Sequence, residues 1–121
     1  MSKILITGSK KGLGAALYSE LRYQGHTVTG YDINDGCDVR DPDQSKLPEE
    51  IDILINNAGV NIINWLEDFV PGEWDRVMDT NAKGIYMMSR ACLPMLIKSK
   101  GTIVNIVSNA AHMPMTCSLA Y

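Results

Sequence analysis

Cysteine and histidine are scarce in this 121-residue chain, with three of the first and two of the second. Cys37, Cys92 and Cys117 are an odd set without metal-ligand spacing, and only His26 and His112 could assist them. This pattern excludes a zinc site and a disulfide framework and predicts free, packed thiols. A cationic excess is also missing. The 11 Lys and Arg stand against 14 Asp and Glu, a formal charge of -3, whereas a nucleic-acid or anionic-membrane surface needs a net basic face. No uninterrupted apolar run reaches the roughly 18 residues of a membrane span. Met1-Ser2-Lys3 leads straight into a strand without a signal-peptide profile. These absences predict a cytoplasmic protein without a nucleic-acid or membrane partner. Repeats, low-complexity tracts and linkers are lacking too, so residues 1–121 read as one domain, large enough to bury a core.

What the chain does contain is an alternation of strand-like and helix-like stretches, the pattern of a parallel sheet covered on both faces. Strands are predicted at Lys3 to Thr7, Thr27 to Tyr31, Ile51 to Asn56 and Thr102 to Val107, with a very short additional strand at Cys37-Asp38-Val39. Leu13, Leu17 and Leu21 recur at helical spacing between the first two strands, and Gly25 is placed to stop that helix. Asn34-Asp35-Gly36 is a turn sequence. Asp41 to Glu50 has space for about two helical turns beginning after Pro42. From Pro71, the spacing of Trp74, Val77, Met78, Ile85, Met88, Cys92 and Leu96 predicts one long helix that Pro94 bends or ends.

Chemistry concentrates first in the run Ile4-Leu5-Ile6-Thr7-Gly8-Ser9-Lys10-Lys11-Gly12-Leu13-Gly14, where an apolar strand stops at a glycine-rich turn that opens into a helix. Unpaired N–H groups at a helix N-terminus attract anions, and glycines let a pyrophosphate approach the main chain. The spacing is G-x-x-x-G-x-G, not G-x-G-x-x-G, so the strand and helix around the turn give it meaning. Asp32, at the end of the second strand, suits hydrogen bonds from adenosine ribose hydroxyls and would repel a 2′-phosphate. Lys11 pulls the other way, since a cation in the turn could pair with that phosphate. Asp32 stands nearer the deciding atoms, which favours NAD over NADP. Asn56-Asn57-Ala58-Gly59 follows a strand where small residues permit close approach to a ligand and amides supply hydrogen bonds.

With these blocks in place, the sequence resembles the short-chain dehydrogenase/reductase family. The resemblance rests on Thr7 to Gly14, Cys37-Asp38-Val39 with Asp41, Asn56 to Gly59, Asp79-Thr80-Asn81-Ala82-Lys83-Gly84, and Gly101 to Ser108, in family order over the whole chain. It implies a Rossmann-like α/β fold, a parallel sheet with helices on both faces in the order 3-2-1-4-5, ending after the fifth strand. It further implies that Gly8, Gly12 and Leu13 form the pyrophosphate loop, that Ser9 and Lys11 beside them are cofactor-binding, and that Asp32 takes the ribose. Asp38 and Val39 would line the adenine pocket, with Asn57, Ala58 and Gly59 beside the nicotinamide ribose. The catalytic positions implied are Asn81, which holds a helix irregularity and a relay water, Ser108, which holds the substrate oxygen, and Tyr121, the general acid/base.

The expected activity is hydride transfer between a nicotinamide cofactor and a small-molecule secondary alcohol or ketone. Tyr121 is the last residue of the sequence, so the lysine that the family carries beyond this tyrosine is not part of it. A dinucleotide-binding module without turnover is therefore the alternative reading. The sequence spans about half of a typical family member, which leaves Thr102 to Val107 at the edge of the sheet. Self-association, or a complementing chain at this edge, is the expected consequence.

Overall fold

The computed structural model describes residues 1–113 and 115–121. Its centre is a parallel sheet of β1 (Lys3–Thr7), β2 (Thr27–Tyr31), β3 (Ile53–Asn56) and β4 (Thr102–Asn105), in the order β2-β1-β3-β4. Helix α1 (Gly12–Tyr23) connects β1 to β2, while α2 (Pro71–Met78) and α3 (Gly84–Ser99) lie between β3 and β4. The order is the predicted one with the short strand removed. Cys37-Asp38-Val39 is an irregular segment and adds no strand to the sheet. Cys37 and Val39 point into the core nonetheless, so burial at these positions reflects anchoring of a loop.

Alternation along β1 divides the core in two, because successive strand side chains face opposite sides of a sheet. Ile4 and Ile6 pack with Val28 and Ile55 against Leu17, Tyr18 and Leu21 of α1. Leu5 joins Leu54 and Tyr31 on the other face, against Met88, Cys92 and Leu96 of α3. The last three repeat every four residues and form one buried stripe. Each such side chain, taken from water, stabilises the fold by about 1.5–3 kcal/mol. Burial also pushes the Cys92 thiol up to about 11. Leu13, expected in the α1 stripe, is half exposed at the start of the helix and faces the cleft described below.

The predicted long helix is two helices. A π-turn at Asp79–Lys83 separates α2 from α3 and adds a residue to the winding, so the apolar stripe does not continue in phase across it. Of Trp74, Val77 and Met78, only Val77 is buried. Pro71 begins α2 at a position where its missing N–H costs nothing, and Glu73 accepts a hydrogen bond from the Val70 N–H at 3.1 Å. Pro94 does not end α3, which runs on to Ser99 with Leu96 in the core.

Turn chemistry follows the sequence closely in some places and less so in others. Gly25 stands just past α1 with φ +89°, and its N–H donates to the Arg22 carbonyl at 3.0 Å. Gly36, at φ +71°, closes a 3-10 turn over Ile33–Asp35. The segment from Asp41 to Glu50 carries a single 3-10 turn at Gln44–Lys46 instead of two helical turns. The Asp43 carboxylate accepts there from the Ser45 N–H at 2.9 Å, and the Asp43 N–H donates to the Tyr31 hydroxyl at 2.9 Å. This local bonding stops the helix from propagating.

β4 lies at the sheet edge with all of its residues exposed, and the apolar Ile106 and Val107 follow it. The Ile106 N–H donates to the Asn56 carbonyl at 2.9 Å, so pairing with β3 outlasts the regular strand by one bond. Among the described residues, no helix is long and apolar enough to cross a membrane, and no cluster of His, Cys, Asp or Glu could hold a metal ion.

Candidate functional site

The carboxyl ends of β1, β2 and β3 border a cleft of about 460 Å³. Gly8, Lys11, Gly12 and Leu13 line it from the glycine turn, and Asp32 and Asn34 from the end of β2. Asp38, Val39 and Arg40 follow on the next side, opposite Asn57, Ala58 and Gly59 from the end of β3. Arg76 and Thr80 close it from α2 and the π-turn. Residues distant in sequence thus meet where a parallel sheet binds ligands, beyond the carboxyl ends of its strands.

The glycine turn is shaped by contacts that exclude side chains. Gly8 and Gly12 have φ of +67° and +50°, and a Cβ on Gly8 would stand 2.9 Å from Ala58 Cα. A Cβ on Gly14 would stand 2.0 Å from the Gly8 carbonyl oxygen. The turn leads into α1 through Lys11, whose extended backbone supplies no side-chain cap, and the first turn holds no acidic residue. Among the described residues, the N–H groups of that turn consequently have no side-chain cap. Ser9 does not line the cleft. It is buried, with its Oγ in the space a Cβ on Gly30 would need.

Thr7 ties the turn to the facing wall. Its Oγ1 accepts from the backbone N–H groups of Asn57 and Ala58, both at 3.0 Å. The Asn57 amide donates back to the carbonyls of Thr7 and Gly8 at 3.0 and 3.1 Å. The Asn57 side chain therefore straps the two loops together. Asn56 turns the other way and donates to Asn105 Oδ1 at 2.9 Å across β3 and β4, while its own Oδ1 is buried without a partner among the described residues. Thr7 escaped the sequence reading, although a hydroxyl ending an otherwise apolar strand was the available signal.

Asp32 is buried and well bonded. Its Oδ1 accepts from the Asn34 N–H at 2.9 Å and the Asn34 amide at 2.8 Å, and its Oδ2 accepts from the Lys10 N–H at 2.9 Å. The accepting capacity left on Asp32 is thus mainly on Oδ2. Burial pushes the Asp32 carboxyl up, but the hydrogen bonds from Asn34 and Lys10, with the Lys10 charge, outweigh this and hold it below the usual carboxylate range. The unfolded chain then binds more protons in acid. Asp32 contributes its full stabilisation above the unfolded value of about 4 and loses it as pH falls through the lower folded value. Urea midpoints measured from pH 7 downward should fall in acid, and Asp32→Asn should flatten that fall. An unchanged slope would show that the charge is not stabilised in the fold.

Lys10 pairs with Asp35 at 3.1 Å, whereas Lys11 and Arg76 form no ion pair among the described residues. Asp38 pairs with Arg40, whose hydrogen bonds hold the Asp38 carboxyl below its usual range against the effect of burial. Asn81 sits in the π-turn and clamps the wall beyond Gly59: its Oδ1 accepts from the Val60 N–H and its Nδ2 donates to the Val60 carbonyl, both at 2.8 Å.

Ser108 and Tyr121 do not line the cleft. Ser108 Oγ accepts from the Ala110 N–H at 3.1 Å, capping the turn after β4, and Tyr121 is 44% exposed. The segment leading to Tyr121 returns toward the wall, where the Asn64 N–H donates to the Cys117 carbonyl at 2.9 Å. Among the described residues, no hydrogen bond joins Asn81, Ser108 and Tyr121.

Known proteins share this architecture. A family model described as short chain dehydrogenase matches residues 42–121. Serine 3-dehydrogenase of Agrobacterium fabrum is 36% identical over 93% of this chain and 46% of its own length. NADPH-dependent pterin aldehyde reductase of Arabidopsis thaliana is 31% identical over 87% of this chain and 55% of its own. The crystal structure of serine dehydrogenase from Escherichia coli superposes with a TM-score of 0.82 at 28% identity, covering 98% of this chain and 67% of that one. The chain spans about half the length of the curated relatives it matches. With a family model over most of the sequence and the cleft at the carboxyl ends of its strands, the chain belongs to the short-chain dehydrogenase family.

Proposed function

We propose that the cleft holds a nicotinamide adenine dinucleotide, NAD in preference to NADP, and that the chain contributes to hydride transfer between the nicotinamide and a secondary alcohol or ketone. The observation that carries this reading is the uncapped N-terminus of α1 opening through Gly8 and Gly12 into the cleft, with the Asp32 carboxylate on its far side. The residues fit the group: a Cβ at Gly8 would crowd the wall, and the first-turn N–H groups have no side-chain acceptor. When bound, the nicotinamide supplies a carbon that gives or takes hydride. Gly8, Gly12 and Leu13 would hold the pyrophosphate, Asp32 a ribose hydroxyl, and Asn57 to Gly59 the wall beside the second ribose. Asp32 disfavours a 2′-phosphate, and Lys11 stands as the opposing charge.

For the proton, Tyr121 is the group proposed to exchange with the substrate oxygen, which Ser108 holds by a hydrogen bond. Asn81 acts by keeping Val60 and the end of the wall in place. A second reading, a module that binds the dinucleotide without turnover, is supported by the engagement of Ser108 Oγ with the Ala110 N–H and by the exposure of Tyr121.

Calorimetric titration with NADH and NADPH tests the site, with NADH expected to bind more tightly; tighter NADPH would show that Lys11 outweighs Asp32. Turnover with a panel of secondary alcohols tests the chemistry. Tyr121→Phe should lower it about a hundredfold or more, as loss of a general acid/base does. Binding without turnover would establish the second reading.

A further inference from the structure

The segment that leads to Tyr121 is fastened to the loop after β3 at two points. The Asn64 N–H donates to the Cys117 carbonyl at 2.9 Å, and the Asn61 amide donates to Ser118 Oγ at 3.2 Å. The loop side of this seam is itself held. Asn81 grips both main-chain groups of Val60, the residue before Asn61. The Asn64 side chain accepts from the Trp65 N–H at 3.0 Å and donates to the Asp68 carbonyl at 3.1 Å. On the other side is a tight turn, in which the Ser118 N–H donates to the Met115 carbonyl at 3.4 Å. Cys117 takes its third position with φ +60°. Glycine or asparagine ordinarily stands there, because a Cβ is crowded in the left-handed region. Strain of this kind persists only where surrounding contacts hold it, and the Cys117 carbonyl is the acceptor for Asn64.

We infer that Asn61 and Asn64 form a latch that holds the segment before Tyr121 against the cleft wall, and that the left-handed turn at Cys117 is the conformation this latch requires. The three are positioning residues that act through Tyr121. This rests on the proton role proposed for Tyr121 and deepens it. Chain length gives the size of the effect. Among the described residues, the next fastening toward β4 is the turn that the Met113 N–H closes on the Asn109 carbonyl at 3.0 Å. From Ser118 the chain reaches Tyr121 within about 10 Å at full stretch, and from Met113 within about 28 Å. Effective concentration falls as the −3/2 power of tether length or more steeply, so an open latch lowers the local concentration of the phenol about tenfold.

The test compares the parent chain with Cys117→Gly, Cys117→Val and Asn61→Ala. Both changes at Cys117 remove the thiol, but glycine suits a φ of +60° and β-branched valine does not. Exchange of the Asn64 N–H reads the latch directly, and amide nitrogen relaxation reads the order of Ser118 and Leu119. In the parent and in Cys117→Gly the Asn64 N–H should be protected and both residues ordered, with order parameters near about 0.8. Cys117→Val should lower that protection about tenfold or more, and both it and Asn61→Ala should bring the order parameters below about 0.6. A matching thermal midpoint confirms that the fold is intact. NADH affinity should stay within about twofold of the parent, since Asn61, Asn64 and Cys117 do not line the cleft. Turnover should fall about tenfold in kcat, with KM for NADH unchanged, in Cys117→Val and Asn61→Ala, and should be retained in Cys117→Gly. A parent disordered at Ser118, or a Cys117→Val variant with the parent's Asn64 protection, overturns the latch. A Cys117→Val variant with the parent's kcat overturns the positioning of Tyr121. If the parent binds NADH without turnover, the proton role of Tyr121 fails, and exchange and relaxation decide the latch by themselves.

Discussion

Replacing Gly14 by alanine is expected to abolish the cooperative fold or cost it at least about 3 kcal/mol, a large part of the 5–15 kcal/mol of an ordinary domain. The new Cβ would lie 2.0 Å from the Gly8 carbonyl oxygen, 2.5 Å from Asn57 Nδ2 and 2.9 Å from the Gly8 carbonyl carbon. Two of these are main-chain atoms and cannot swing aside as a flexible side chain would. Relief would require α1 to move off the end of β1, which opens the packing of Leu17 and Leu21 against Ile4 and Ile6. Gly12→Ala is the informative companion. Its Cβ meets nothing within 4 Å, so the cost is confined to its φ of +50°, about 1–2 kcal/mol. Urea denaturation of the two variants and the parent measures the difference. Equal losses, or a Gly14→Ala variant within about 1 kcal/mol of the parent, would contradict the close approach of helix and turn.

Thr7→Val should be the second most damaging change, about 2–5 kcal/mol, although it conserves shape. Thr7 is 1% exposed, and its hydroxyl is the acceptor for the N–H groups of Asn57 and Ala58. Valine fills the same space and suits the strand, but it leaves those two donors facing a methyl group. The penalty is therefore unmet hydrogen bonding, not a cavity. Thr7→Ser retains the hydroxyl and loses one methyl, for about 0.8 kcal/mol. Amide exchange gives a local reading: the Asn57 and Ala58 N–H groups should lose protection in Thr7→Val and keep it in Thr7→Ser. Retained protection in Thr7→Val would assign those donors to another acceptor. Since the same loop forms one wall of the cleft, NADH affinity should fall with the valine variant.

How far these features could be read in advance depended on how local their causes are. The glycine turn, the stop at Gly25 and the turn at Gly36 each arise from backbone conformations that neighbouring residues specify, and the structure has them where the pattern put them. The interruption at Asp79–Lys83 was not legible in the periodicity, although the family resemblance implied a helix irregularity at Asn81. Its residues suit a helix one by one, and the π-turn coincides with the pairing of Asn81 and Val60 across the cleft wall. Cys37-Asp38-Val39 misled in the opposite sense. Apolar side chains on either side of a polar one look like a strand, but their burial comes from a loop that folds onto α3 and β2. Arg40 drew no notice because an arginine after an aspartate is unremarkable until both line one cleft.

Composition and periodicity were sufficient for the parallel layered architecture, because alternating residues along β1 must face opposite sides and each apolar set needs a helix to cover it. They also located the anion-binding turn, whose chemistry is carried by consecutive residues. Folding alone decided which polar groups those residues spend on one another. Thr7 on Asn57, Asp32 on Asn34 and Lys10, and Asp38 on Arg40 are choices among partners, and three-dimensional distance makes them. Hydrogen bonds are short-ranged and directional, so the accepting capacity left for a ligand follows from the packed geometry and not from residue type.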